Sequence, residues 1–421
     1  MLDIKLIRKN PQKVKEGIKK KGFNEKIVDE ILEIDRERRE KIQEVEKLRA
    51  KINKISKEIG KEKNEKKKKE LLKESKKISE KLEKLEKELK ERKEKFENLM
   101  AKLPNLPFDD VPVGKDETQN VVLREVGEKP KFDFTPRDHL EIGESLDLID
   151  VKRAAKTSGT RFGFLKNEAV LLEFAIINFT FNTLTKEGFI PIIPPVLIRE
   201  KPFWGMGYLD RGREEVYFIP KDGLYLVGTA EQIIGPMHMD EIFKEEELPK
   251  RYLGFSSCFR REAGSYGKDT RGIFRVHQFD KIEMFSFCKP EDSRKEHLFF
   301  LEIEERLMKA LKIPYRVVRI CTGDLGDPAA EKFDIEAWLP GQNRYRETHS
   351  TSNCTDFQAR RLNIRYKRKD GKLEFVHTIN GTAFAIGRIL IAILENYQQK
   401  DGSVKIPEVL QPYLPFKEIR R

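Results

Sequence analysis

The sequence predicts an α+β domain with helices around a sheet, preceded by a long antiparallel two-helix coiled-coil arm. Three observations carry this fold class. Two series of apolar residues recur at alternating three- and four-residue spacing within the first hundred positions. A proline-rich stretch, Leu103 to Asn120, ends the second series, and beyond it the composition becomes that of an ordinary mixed globular domain. Within that domain, Phe255 to Phe287 reads as two strands joined by a turn rich in Gly, Ser and Asp, Ala263 to Gly272. The expected division is residues 1–102 for an N-terminal domain with its arm, 103–120 for a stiff linker and 121–421 for the second domain.

The first apolar series runs Ile42, Val45, Leu48, Ile52, Ile55, Ile59, and the second Leu71, Ser75, Ile78, Leu82, Leu85, Leu89, Arg92, Phe96, Leu99. Joined across Gly60 to Lys69, they predict two helices of roughly 30 residues, on the order of 45 Å long at 1.5 Å per residue. So narrow an apolar stripe cannot make a globular domain, so the hairpin is expected to protrude. Residues 1–100 hold 34 Lys or Arg against 23 Asp or Glu, while the other 321 hold 50 against 49, so the net charge of +12 is an N-terminal property. Between Lys47 and Lys77 there are 14 basic residues and five acids. A solvated coiled coil laced with ion pairs has such a surface, but the run Lys66 to Lys69 repels itself unless a polyanion neutralises it. A basic arm without aromatic interleaving suits the backbone of a folded RNA read by shape, since single strands call for stacking platforms.

At 421 residues and 38% hydrophobic content, the chain has enough apolar material for a sizeable core and is not disordered. Cys258, Cys288, Cys321 and Cys354 form no C-x-x-C pair, which reads as free, mostly buried thiols in a reducing compartment and disfavours a zinc site. No stretch approaches the roughly 18 apolar residues of a membrane span. The protein reads as cytoplasmic.

Glu168 to Thr185 has helical spacing and an almost all-round apolar surface, which predicts a buried helix. In Gly188 to Glu200, Pro191, Pro194 and Pro195 demote an apolar strand to a sheet edge, and such an edge calls for a partner, for example a second copy of the chain. Tyr225 to Glu231 reads as a strand ending in a glycine turn, with Thr229 either capping a helix or presenting its hydroxyl. In the hairpin, alternation puts Arg260 and Glu262 on one face of the first strand, and Arg275, His277, Phe279, Lys281 and Glu283 on one face of the second. The water-facing side of a half-exposed sheet has this pattern too; so does a nucleotide-binding floor, with arginines on phosphates and a ring under a base. Phe274, Val276, Ile282 and Met284, on the other parity, are expected to anchor the hairpin in the core. Glu331, Asp334 and Glu336 read as surface or strand-exterior charges. Glu347 and Ser350 supply hard oxygens of the kind that Mg²⁺ accepts beside phosphates. Asn380 to Tyr397 reads as a glycine turn and an apolar helix whose single cation, Arg388, needs a ligand or a carboxylate as partner.

Gly188-x-x-Pro191 through Pro195, the FRRE hairpin at Phe259 to Glu262 and the C-terminal NGTAFAIGR resemble motifs 1, 2 and 3 of the class II aminoacyl-tRNA synthetases, in family order. With GTAE at 228–231, RYRETHSTSNCTDFQARR at 344–361 and the basic hairpin arm, the chain is similar to the serine-activating branch of that family over nearly its whole length. The resemblance implies a mostly antiparallel catalytic sheet with helices around it. It implies an ATP-dependent ligase that makes seryl-adenylate and pyrophosphate, then passes serine to the 3′ end of tRNA(Ser), and possibly of tRNA(Sec), as a homodimer that uses Mg²⁺. By the same resemblance, Arg260, Arg275 and Arg388 are the catalytic arginines. Thr229, Ala230, Glu231, Glu283, Asn380 and Thr382 line the serine pocket. Arg260, Arg261, Glu262, Arg275, Val276, Phe279, Glu347, Thr348, His349, Ser350 and Arg388 form the ATP site, with Glu347 and Ser350 as the metal ligands. His349 is expected to hydrogen-bond in a structural role, since activation needs no protein base. Two alternatives stand beside this: a relative that loads a small amino acid onto a carrier protein, and a non-catalytic coiled-coil RNA-binding protein. The first lacks the basic hairpin; the second has no reason to retain the paired arginines and carboxylates.

Overall fold

The computed structural model describes residues 1–263 and 269–421, with Arg211 by its backbone alone. The chain forms two compact units, Leu2–Pro104 and Asn105–Arg421 together with Met1.

In the first unit, the short helices Ile4–Lys9 and Pro11–Lys20 precede two long ones, Lys26–Lys61 and Glu65–Ala101, which pack on each other. The long helices hold 36 and 37 residues, about 54 Å each. Their seam follows the apolar spacing: Val45, Leu85 and Leu89 form a buried cluster with Ile42, Leu48 and Leu82 against it, and Ile55, Ile78 and Phe96 are buried along the same line. The turn is shorter than the sequence suggested. Gly60 stays helical, and Asn64 caps the second helix by accepting from the backbone N–H groups of Lys66 and Lys67. Lys66 to Lys69 therefore lie in its first turns, where the positive end of the helix dipole adds to their repulsion.

The second unit is built on an eight-stranded sheet: β1 (Val121–Val126), β2 (Ile190–Ile192), β3 (Lys250–Phe259), β4 (Gln278–Cys288), β5 (Tyr315–Arg319), β6 (Glu331–Leu339), β7 (Arg344–Asn353) and β8 (His377–Ala385). Their spatial order is β1-β5-β6-β7-β8-β4-β3-β2, and every pairing is antiparallel except β2 with β3. β2 is the proline-interrupted segment, and it lies at the sheet edge as expected. Helices Glu168–Leu184, Ser293–Ala310 and Ile386–Asn396 bury their apolar residues with one side of the sheet in a single core that includes Ile282, Met284 and Ile335. The proline-rich segment is no free connector: the Asn105 amide donates to the carbonyls of Pro328 and Cys354, and Val111 packs with Val318 and Ile320. Residues 264–268 of the expected hairpin turn lie outside the described residues.

The acidic group on β6 corrects an expectation. Glu331 and Asp334 are buried, at 6% and 7% exposure, because distant cations reach them: His297 and Arg319 bind Glu331, and Lys332 binds Asp334. Glu336 is half-buried and paired with Arg316. All four cysteines are buried and free.

Candidate active site

A cavity of about 700 Å³ opens over the face of the sheet opposite the helical core, wholly within the second unit. Regular alternation brings Phe279, Lys281 and Glu283 of β4 into its lining. Arg260 continues this parity one residue beyond β3, where its N–H donates to the His277 carbonyl. Glu262 and Arg275 reach the cavity by another route, and here the strand assignment was too long. Both lie past the strand ends, Glu262 in the left-handed region at φ 51°, and they meet through a 2.7 Å bond from Arg275 Nη1 to Glu262 Oε2. His277 does not line the cavity.

Two β-bulges complete the floor. Along β7 the register against β6 shifts between the Glu336–Glu347 and Ile335–His349 pairs, so Thr348 is an extra residue. That extra residue lets Glu347 and Ser350, three apart, share the cavity face, which a regular strand forbids. In β8 the same device at Ala383 puts Thr382 and Ala385 both on the cavity, with Asn380 two residues before. Gly228, Thr229 and Glu231 come from the turn after Leu226 and the helix start Glu231–Ile234; Arg388 comes from the first turns of Ile386–Asn396.

The cavity is cationic at one end and acidic at the other. Arg388 Nη1 donates to Glu347 Oε1 at 3.0 Å, the carboxylate partner that an arginine in an apolar helix requires, and its guanidinium lies 4.8 Å from the Phe274 ring centre. Burial works against ionisation of Glu347, but Arg388, Lys332 and Arg260 hold its carboxyl down to about 2. Arg260 donates through Nε to the Gly228 carbonyl at 3.2 Å and sits 5.2 Å from the Phe279 ring centre, leaving the rest of its fork toward the cavity. At the acidic end burial raises Glu231, and it raises Glu283 to about 7 with Lys281 pulling the other way. Lys281 Nζ lies 2.5 Å from Glu283 and donates to Thr229 Oγ1 at 3.3 Å. Such a site matches an anion bearing phosphates at one end and an ammonium at the other.

Of the sequence-predicted residues, Thr229, Glu231, Arg260, Glu262, Arg275, Val276, Phe279, Glu283, Glu347, Thr348, Ser350, Asn380, Thr382 and Arg388 line this one cavity. Ala230, Arg261 and His349 do not. Ala230 packs under the floor with Ile234 and Phe285, and Arg261 donates its backbone N–H to the Glu215 carbonyl. His349 is pushed by the bulge to the opposite face, where it is buried against Phe384 and bonded to Thr348 Oγ1, and burial lowers its imidazole to about 3. A neutral, enclosed ring fits the structural role. Phe274 and Val276 belong to the core as expected, yet both also line the cavity. Sequence reasoning assigned no role to Lys281, although it sat on the predicted face, and missed Lys332 and Tyr208. Lys332 alternates with Asp334 on β6, a signal that was available; Tyr208 lies in a loop and had none.

Residues 1–107 match the seryl-tRNA synthetase N-terminal domain, and residues 217–397 the tRNA synthetase class II core domain (G, H, P, S and T). The serine–tRNA ligase of Dictyoglomus thermophilum is 50% identical, the alignment covering 100% of this chain and 99% of that protein. Among solved structures, seryl-tRNA synthetase from Pyrococcus horikoshii complexed with ATP superposes with a TM-score of 0.94 at 46% identity, covering 100% and 99% of the two chains. The cytoplasmic serine–tRNA ligase from Naegleria fowleri in complex with AMP gives 0.89 at 36%, with the same coverage. Full-length identity at this level, with both domains matched and the cavity assembled from the same motifs, places the chain in the seryl-tRNA synthetase family.

Proposed function

We propose that the cavity activates serine with ATP and that the basic arm presents tRNA to it; the protein is an ATP-dependent serine–tRNA ligase. The observation that carries the site reading is the joining of three arginines, an ionised carboxylate and an acidic amino-acid end in one cavity. Relatives of known structure carry ATP or AMP, which supports ATP as the nucleotide here.

Serine's carboxylate attacks the α-phosphorus in line; the bond to the bridging oxygen breaks, and pyrophosphate leaves with the electron pair. The terminal ribose hydroxyl of tRNA then attacks the seryl carbonyl, and AMP departs. Neither step forms a bond to the protein, so positioning and charge stabilisation carry the catalysis. Arg260 lies between the two ends of the cavity, where it meets the α-phosphate and the serine carboxylate together. Phe279 stacks under adenine, Glu262 accepts from its amino group, and Arg275 swings from Glu262 to the leaving pyrophosphate. Arg388 covers the nucleotide from the side opposite Phe279. Thr229, Glu231, Glu283, Asn380 and Thr382 take the ammonium and hydroxyl of serine.

Glu347 and Ser350 fit a magnesium ion that arrives with the nucleotide. The carboxylate is ionised, the hydroxyl is on the same face, and among the described residues no cluster of three His, Cys, Asp or Glu side chains forms a cage of its own. When bound, Mg²⁺ supplies charge neutralisation on the phosphates. Glu347→Gln is expected to raise the magnesium concentration for half-maximal activation on the order of 10- to 100-fold, by analogy with the weakening seen on loss of supporting ligands. A magnesium titration of pyrophosphate exchange reads this directly, and an unchanged midpoint removes Glu347 from the metal site.

The arm is the tRNA-binding element and shape the basis of recognition, with tRNA(Sec) a second substrate of the same surface. Ile190 and Ile193, at 45% and 80% exposure on the edge around β2, support a homodimer. Among the described residues no helix is long and apolar enough to cross a membrane, and the cytoplasm suits the free thiols. Pyrophosphate exchange measured across all twenty amino acids tests the whole reading: serine alone is expected to support it at micromolar enzyme, and exchange driven by another amino acid overturns it.

A further inference from the structure

The amino-acid end of the cavity holds two buried carboxyls, Glu231 at 5% and Glu283 at 1% exposure, and their surroundings are unequal. Glu283 forms a 2.5 Å ion pair with Lys281, so that pair is neutral within itself. Glu231 has no cation in contact: Lys281, Arg260 and Lys332 act on it through space, Glu283 opposes it, and its Oε1 has no protein hydrogen-bond partner. Its side-chain hydrogen bond comes from Tyr208. Tyr208 stands in the short connection between the helices Glu200–Gly205 and Leu209–Gly212, and the chain from there to Val216 walls one side of the cavity. The phenol is enclosed beside Glu231, Cys354 and Glu283, while its ring packs with Phe203 and Met206 and their clusters. A phenol far too weakly acidic to ionise is a fixed donor in this place, and burial with Glu231 beside it pushes its own ionisation upward.

Building on the reading that this cavity binds serine, we propose that Tyr208 is a positioning residue for the amino-acid substrate: its hydroxyl orients the Glu231 carboxylate and keeps it the one negative charge free to receive the substrate's ammonium. Glu283, balanced by Lys281, is then left to read the hydroxyl. The division follows from charge. An ammonium drawn to Glu283 competes with Lys281 already in contact, whereas at Glu231 it meets an open oxygen.

Tyr208→Phe keeps the ring and removes the donor. A hydrogen bond to an ionised group corresponds to roughly a tenfold to hundredfold change in affinity, so the serine KM in pyrophosphate exchange is expected to rise by about that factor. The KM for ATP, kcat and the melting temperature stay at parent values. Because the lost bond favoured the charged form of Glu231, the rise of serine KM on acidification begins at higher pH in the variant than in the parent. Tyr208→Gln, which restores a donor, recovers part of the lost affinity. Glu231→Gln, assayed alongside, separates the two levels of the proposal. If it leaves the serine KM at the parent value, the reading of the pocket itself falls. If it raises the KM while Tyr208→Phe does not, or if Tyr208→Phe raises the KM for serine and ATP equally without moving the pH profile, Tyr208 is only part of the wall.

Discussion

Arg260→Ala is expected to lower serine-dependent pyrophosphate exchange by about 10²- to 10³-fold, the range for removal of one preorganised charge-stabilising donor, while the protein stays folded. Geometry makes Arg260 the most exacting position in the cavity. Its backbone is the last residue still paired in the β3–β4 hairpin, donating to the His277 carbonyl, and its Nε is fixed on the Gly228 carbonyl. The guanidinium is thereby set above Phe279, between the phosphate end that Arg388 and Glu347 define and the acidic end of Glu231 and Glu283. It stabilises charge that develops at the α-phosphate, so kcat falls more than either KM rises. Folding survives because the strand pairing uses the backbone alone, and the side chain donates only to a rim carbonyl. Lysine is a poor substitute here: a point charge on a flexible stem does not present two donors to two anions. Exchange kinetics with circular dichroism on the same sample check the outcome. Activity within about tenfold of the parent means that the reacting centre lies elsewhere.

Much of this architecture was legible in the sequence because it depends on local periodicity. The arm helices follow a three-four spacing that persists from Ile42 to Phe96, and nothing in the fold needs to override it. The same holds for Phe279, Lys281 and Glu283, whose alternation survives intact in β4, and for Pro191, which can only sit at an edge. What escaped depends on places where the period breaks. The extra residues at Thr348 and Ala383 decide which side chains of β7 and β8 reach the cavity, and no residue type there announces a bulge. Glu262 and Arg275 were placed on strands that stop short of them, although the loop delivers both to the same cavity. Burial of Glu331 and Asp334 required His297, Arg319 and Lys332, two of them remote in sequence from the first acid or set on a helix above it. A carboxylate is read as exposed until its partner is known. Resemblance supplied roles for the motif residues, but Tyr208 and Lys332 lie outside the motifs and emerged only from the lining of the cavity.

Removing residues 40–91 separates the two activities. Serine-dependent exchange is expected to remain within about twofold of the parent, and aminoacylation of tRNA(Ser) to fall by at least about 10²-fold, because the catalytic cavity is built wholly from the second unit and the deleted charge wholly from the first. The cut is conservative at its ends. The ion pair of Glu37 with Arg92, at 2.7 Å, holds the two helices side by side just below it, so a short glycine-rich turn closes the gap, and the buried core around Ile7, Val14, Ile18 and Ile31 is untouched. The deletion removes all 14 basic residues between Lys47 and Lys77, among them the four lysines that the Asn64 cap places in the first turns of the second helix. Four like charges at the positive end of a helix dipole are unfavourable in the free protein, and bound phosphates relieve that repulsion. Replacing Lys66 to Lys69 by Ala is therefore expected to weaken tRNA binding while the arm stays helical, and to lower the slope of log affinity against log salt by about one for each lysine that meets a phosphate. If the deletion costs exchange and charging equally, the arm is part of the catalytic fold; if the salt slope is unmoved, the lysines at its turn are solvated charge and the RNA is held elsewhere.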